Sequence, residues 1–311
     1  MKDGSKLKKI FVAVRAYIIF WLCHKHYDIL HVHLSSRNST WRKARFIRKA
    51  KASGMRIIIH LHGSEFDIFY RDECNEVQKE KIHVIFSMAD KIIALSDDWK
   101  MFLLKYGLGT DDKVDVIYNS VLMPDYVKTD YSNRNVLFLG RLGERKGTYD
   151  LLKIAPKIIE RYPDAHFYLG GDGDVQQIQK ICEEQQLQNH IELIGWVKDQ
   201  VKEDYFKRCC IYILPSYAEG MPMSVLEAMS YGLACVSTTV GGIPNIITNK
   251  ANGLLFTPGN TDDFFNCLDY LFSNEDNRQR IGTNGRKRID ESFNNKKYIL
   301  DLVQYYNKLL Q

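Results

Sequence analysis

The chain has little of four things, and each shortage excludes something. Its seven cysteines, at 23, 74, 182, 209, 210, 235 and 267, include no C-x-x-C pair, so neither a cysteine-based zinc site nor a disulfide framework is indicated. Scattered thiols fit a reducing, cytosolic setting. No apolar run reaches the ~20 residues of a membrane-spanning helix. The best candidate, 10–23, is only 14 residues long and is broken by Arg15. It has no small-residue cleavage site and leads into a strand pattern, so it does not read as a secretory signal. Acidic residues are scarce at the start: residues 1–60 hold 2 Asp/Glu against 14 Lys/Arg, while the remainder holds 36 against 29. That asymmetry points to one face that meets anions. Finally, no segment repeats.

What is present is an ordinary globular composition. The 311 residues are 45% hydrophobic and 26% charged, enough for one large or two ordinary domains. Short apolar runs at 28–33, 56–61, 91–95 and 114–118 alternate with helical patterns at 7–26, 41–51, 75–87 and 97–106. The alternation restarts at 136–139 and continues through 166–169, 191–193, 211–214, 234–237 and 254–256, with helices between and after. Continuous apolar strands separated by helices predict parallel sheets covered on both faces. Residues 121–134 are polar, aperiodic and contain a proline, and are expected to link the halves. The predicted domains are 1–120 and 135–290, with the helix in 291–311 expected to return to the first.

The stretch 217–232, YAEGMPMSVLEAMSYG, organises the second half. A strand ends at Pro215-Ser216, Gly220 allows a sharp loop, Pro222 after Met221 suits the first turn of a helix, and from Met223 to Met229 the pattern is helical. Strand, glycine loop and helix N-terminus make a place for an anion. Glu219 and Glu227 bracket it, and carboxylates suit hydroxyls, so a nucleotide sugar fits; two acids offsetting the helix dipole is the plainer alternative. Upstream, the strand at 136–139 runs into Gly140-Arg141-Leu142-Gly143-Glu144-Arg145-Lys146-Gly147, where two cations could hold a pyrophosphate or form only a solvated basic turn. Ligands of doubly wound sheets sit at these carboxyl ends of strands. Gly171-Asp172-Gly173-Asp174 follows the next strand; D-x-D can serve a divalent metal, or Asp174 can cap the following helix. Trp196 and Val197 could floor a base pocket, or the indole could simply pack in a loop. In the first half, His31 and His33 lie at one strand end and His60 at another, with His62 just beyond it and the strongest of the four as a site residue.

Taken together, Gly140-Arg141…Lys146-Gly147, Gly171-Asp172-Gly173, Glu219-x7-Glu227 and Gly241-Gly242-Ile243-Pro244 resemble the GT-B glycosyltransferases of family 4. The likeness covers nearly the whole chain, and His62-Gly63-Ser64-Glu65-Phe66 is similar to bacterial capsule and exopolysaccharide enzymes. It implies two Rossmann-like doubly wound domains facing a cleft. It also implies retaining sugar transfer from a nucleoside diphosphate donor, best matched by a UDP-sugar, with no metal and no cofactor. On this resemblance Arg141 and Lys146 bind the donor diphosphate, Glu227 its ribose, and Glu219 and His62 the donor sugar. Gly140, Gly171, Gly173, Trp196, Val197, Gly220, Met221, Pro222 and Met223 complete the donor site. Only about 27 residues precede the strand at 28–33, fewer than the resemblance leads one to expect, so an incomplete N-terminal domain is anticipated.

The helix at 41–51 carries Arg42, Lys43, Arg45, Arg48, Lys49 and Lys51 beside Trp41 and Phe46. Basic side chains next to aromatics predict contact with an anionic membrane surface, on the cytoplasmic side, and a polyprenyl-linked or other carbohydrate acceptor. A solvated helix face is the plainer reading. No nucleic-acid module is recognisable. Two other readings stay open: a nucleotide-sugar binder without turnover, and a GT-B sugar-nucleotide epimerase.

Overall fold

The computed structural model describes residues 6–125 and 128–311. They form two compact units, Met1–Ile117 with Asp301–Gln311, and Tyr118–Leu300.

In the first unit α1 (Lys6–Cys23) and a single 3-10 turn precede β1 (Ile29–Leu34), α2 (Asn38–Ala52) and β2 (Arg56–Leu61). Then come a three-residue turn, α3 (Phe66–Ile68), followed by α4 (Glu76–Ser87), β3 (Lys91–Ala94), α5 (Asp97–Lys105) and β4 (Val114–Val116). The sheet runs β1-β2-β3-β4, every pair parallel. Ile57, Ile58 and Ile59 are wholly buried, as a strand covered on both faces requires. Asn75 closes a capping box on α4, accepting from the Gln78 amide while Gln78 accepts from its own.

The second unit contains β5 (Asn135–Leu139), α6 (Thr148–Arg161), β6 (His166–Gly170), α7 (Val175–Glu184), β7 (Ile191–Gly195), α8 (Asp199–Arg208), β8 (Ile211–Leu214), α9 (Met223–Ser230) and β9 (Ala234–Thr238). After these come α10 (Ile243–Ile246), β10 (Leu254–Phe256), α11 (Thr261–Phe272), α12 (Glu275–Ser292) and α13 (Asn295–Leu310). The parallel sheet has the order β10-β9-β8-β5-β6-β7. The chain starts in the middle, builds outward to β7, then returns to lay β8 on the other side of β5. The order therefore reverses between β5 and β8, the place where ligands of doubly wound sheets sit.

The segment expected to be a linker, 121–134, is instead packed on the second unit. Thr129 Oγ1 and Tyr131 Oη donate to the carbonyls of Tyr231 and Gly232 at 2.8 and 2.7 Å, and the buried Arg278 reaches the Tyr131 carbonyl at 2.8 Å. Polar residues without periodicity are held there by directed hydrogen bonds, which an apolar pattern cannot reveal. The division falls between Ile117 and Tyr118, and within α13 between Leu300 and Asp301.

Candidate active site

The geometry begins at the reversal of strand order. The loop after β5 and the loop after β8 meet there, and Lys146 Nζ forms an ion pair with Glu219 Oε1. Glu219 is buried and Lys146 half-buried. The two residues given separate roles from sequence therefore touch in this state. Removing either would leave a charge uncompensated in a poorly solvated place, at a cost of about 3–5 kcal/mol. The loops are locked together through main chain as well: the Tyr217 amide donates to the Arg145 carbonyl at 2.9 Å, and Arg145 Nη1 to the Ala218 carbonyl at 3.1 Å. Gly147, at φ 67°, permits this approach, since a Cβ there would lie 1.9 Å from the Pro215 carbonyl oxygen. Gly171 does the same between the β5 and β6 loops, where a Cβ would lie 1.8 Å from the Gly140 oxygen.

Beside the ion pair opens a pocket of about 300 Å3. Gly140, Gly171, Trp196, Val197, Met223 and Glu227 line it, so six of the residues singled out in the sequence converge. Trp196 is 68% exposed, which rules out the packed-indole alternative. The aliphatic stem of Lys146 lies against Gly140, which makes the pocket continuous with the ion pair. Lys202 from α8 also lines the pocket and donates to Glu227 Oε1 at 2.7 Å. No sequence signal marked Lys202; it sits on an otherwise unremarkable polar helix, 25 positions from its partner.

The remaining predicted residues lie around this centre. Arg141 is exposed on the loop after β5, its side chain close to Gly173. Gly173 itself pairs with Leu142 in an isolated bridge. Gly220 and Met221 serve through their carbonyls, accepting from the Gly242 amide at 2.6 Å and from Asn119 Nδ2 at 3.0 Å. Pro222 occupies the N-cap position of α9, one place before the first turn to which the sequence assigned it. Asp174 does not cap α7 through its side chain; its carboxylate accepts from Tyr149 Oη at 3.0 Å. An Asp side chain this close to a phenol takes the stronger O–H donor.

In the first unit, strand periodicity and parallel register gather all four histidines. His31 and His33 share one face of β1, and His33 is paired in register with His60. His31 Nε2 lies 3.2 Å from His60 Nδ1, and His33 Nδ1 lies 2.7 Å from His62 Nε2. Tyr306 Oη lies 2.5 Å from His31 Nδ1. Burial, reinforced by the neighbouring imidazoles, pushes His31 and His62 down to about 4 and His60 to about 2. The His33 pKa is also lowered, by burial and then by Lys43. All four rings are therefore neutral at neutral pH.

The basic helix differs from expectation. Trp41 and Phe46 are packed inside the unit, Trp41 against Phe69 and Phe46 against Tyr17 and Phe20. Both are half-buried, because the stripe that buries Thr40, Ala44 and Ile47 turns them partly inward. Of the cations, Lys43 donates to the His33 carbonyl, Lys49 lies over the Trp21 ring, and Lys51 reaches Asp90 at 4.0 Å. Arg42, Arg45 and Arg48 point outward. The neighbouring helix α1 carries a run of exposed apolar side chains: Phe11, Val12, Ile18, Ile19, Trp21 and Leu22. Among the described residues no helix is long and apolar enough to cross a membrane.

Known proteins share this arrangement. Residues 128–288 match the family described as Glycosyl transferases group 1, and residues 4–121 match Glycosyltransferase Family 4. An Escherichia coli protein named UDP-Gal:alpha-D-GlcNAc-diphosphoundecaprenol alpha-1,3-galactosyltransferase is 27% identical over 85% of this chain and 74% of its own. The glycosyltransferase MJ1607 of Methanocaldococcus jannaschii is 27% identical over 59% of this chain, which spans only 51% of that protein. Among solved structures, HepE of Anabaena in complex with UDP superposes with a TM-score of 0.79 over 94% of this chain and 81% of its own, at 19% identity. The fold is thus the two-domain, Rossmann-like GT-B arrangement that the sequence suggested. With the first family match alone covering more than half of its 311 residues, the chain belongs to the group 1 glycosyl transferases.

Proposed function

We propose that the protein transfers a sugar from a UDP-sugar to a lipid-linked acceptor of a surface polysaccharide, with retention at the anomeric carbon and without a metal. The observation that carries this reading is the pocket where the strand order reverses, with Lys146 at one side and Glu227 at the other. The printed names of the E. coli relative and of the HepE complex support the choice of UDP and of a polyprenyl diphosphate acceptor.

The chemical demand is to stabilise a departing diphosphate. Arg141 and Lys146 supply positive charge on the loop after β5, and the α9 N-terminus adds aligned backbone dipoles. Glu219 holds the Lys146 ammonium in place before any ligand arrives, so little reorganisation remains to be done at the moment of reaction. An incoming phosphate would share that ammonium with Glu219. Glu227, beside Lys202, is assigned to the ribose hydroxyls, and the exposed Trp196 with Val197 to the base. Both carboxylates are engaged by lysines, which speaks against either acting as the nucleophile of a double displacement. Departure and attack on the same face of the sugar is the mechanism that remains.

Calorimetric titration with UDP, GDP and ADP in the presence of EDTA tests the donor site. UDP is expected to bind to the wild-type protein and to lose most of its affinity in Glu227→Ala. Equal binding by the variant, or binding only when a divalent ion replaces EDTA, would overturn the assignment.

A further inference from the structure

The four histidines of the first unit are more than the proposed transfer requires. They come from two H-x-H triplets, His31-Val32-His33 and His60-Leu61-His62, one at the end of each of two adjacent parallel strands. A spacing of two puts both imidazoles of a triplet on one face of its strand, and the β1–β2 register brings the triplets side by side. One ring nitrogen from each of His31, His33 and His60 falls within 4.8 Å of the others.

We propose that His31, His33 and His60 form a binding site for a divalent transition-metal ion of the zinc class, with His62 able to supply a fourth ligand. An all-imidazole donor set suits zinc, copper or nickel and not magnesium or calcium, which take oxygen. Tetrahedral zinc with nitrogen bonds near 2.0–2.1 Å places its ligand atoms about 3.3 Å apart. His31 Nε2 and His60 Nδ1 are 3.2 Å apart. Without metal that spacing is a shared hydrogen bond; a cation takes the proton's place, and the rings turn to aim both lone pairs at it. His33, the exposed member, is the ring freest to complete the set. His60 is 1% exposed, so its Nδ1 is held beside His31 Nε2 by the packing around the ring. The second shell is already present: Tyr306 Oη lies on His31 Nδ1, which fixes the ring so that Nε2 faces the cluster. Lys43, bonded to the His33 carbonyl, is the opposing charge that lowers the affinity of the site.

The test uses the full, untagged chain, stripped with EDTA, dialysed and titrated with cobalt(II) while visible absorption is recorded. One equivalent is expected to give the intense bands of low-coordinate cobalt, which zinc then bleaches. His31→Gln and His33→Gln are each expected to abolish them. Tyr306→Phe, which leaves every ligand in place, is expected to weaken binding by about 10–100-fold, the usual loss for an outer-shell partner. No bands in the folded wild type, or bands that survive both glutamine substitutions, would overturn the proposal. No nucleotide enters this experiment, so its failure leaves the donor reading untouched.

Discussion

The carboxyl ends of the two sheets are built from opposite materials. In the second unit, charge gathers where the strand order reverses: Lys146 against Glu219 on loops that glycines allow to touch, and Lys202 of α8 against Glu227 of α9. In the first unit, the same ends carry imidazoles kept uncharged by burial, with no carboxylate among the cluster. The first sheet runs in sequential order with no reversal, so no crevice of the switch-point kind opens among its described strands. Fixed charge suits a charged, departing diphosphate; neutral nitrogens suit hydroxyls or a soft cation. The two units thus differ in the electrostatic character of their strand ends.

The largest effect expected from breaking this contrast lies in the second unit. Lys146→Ala should lower turnover of the nucleotide sugar by about 10²–10³-fold, as loss of a preorganised charge contact does. It should also destabilise the unit, because Glu219 is left buried alone. The double variant Lys146→Met with Glu219→Leu separates these effects. Replacing a buried pair by apolar residues is often close to neutral for stability, so thermal unfolding should return toward wild type while turnover stays lost. Turnover that recovers with stability would show the pair to be structural only.

Acid should act on the first unit. The folded-state pKa values of His31, His60 and His62 lie below the ordinary 6.5, so the unfolded chain binds more protons as pH falls from about 6.5 towards 4. Their contribution to stability is complete above that window and is lost on descending through it. Hydrogen exchange at pH 7 and pH 5 in EDTA, corrected for intrinsic rates, should show a greater loss of protection in β2 than in β8. An equal loss in both strands would remove the contrast.

The smallest effect concerns the surface of the first unit. Arg42, Arg45 and Arg48, near the apolar face of α1, should each contribute about 1 kcal/mol to association with an anionic bilayer. Flotation with anionic vesicles is expected at low salt and should fade when the three arginines are replaced by glutamine. Absence of flotation would withdraw the membrane reading.

Much of this was legible in the sequence because parallel strands must be apolar throughout; the runs at 56–61 and 211–214 reappear as β2 and β8. The glycine-rich loops were legible for a similar reason, since close main-chain approach at positions such as Gly147 requires the residue itself. What escaped was contact between segments. Lys202 meets Glu227 through the rotation of α8, and Lys146 meets Glu219 through the return of the chain to β8; neither rotation nor return has a local signature. The surroundings of Trp41 and Phe46 were not legible, because aromatics beside arginines look alike on a free helix and on one packed against Phe69 and α1. The histidine cluster was half visible: each triplet shows in the sequence, but their neighbourhood needs the β1–β2 register.

The reversal of strand order also sets when the site can exist during synthesis. Lys146 and Glu219 stand 73 residues apart, and β8 is laid beside β5 only after β6 and β7 have been made. A nascent chain that has emerged only through β7 can form half a sheet, but it has no partner for Lys146 and no helix N-terminus at α9. Contacts of such long sequence separation form slowly. Any property that needs both Lys146 and Glu219 therefore arises only in chains that have completed the return.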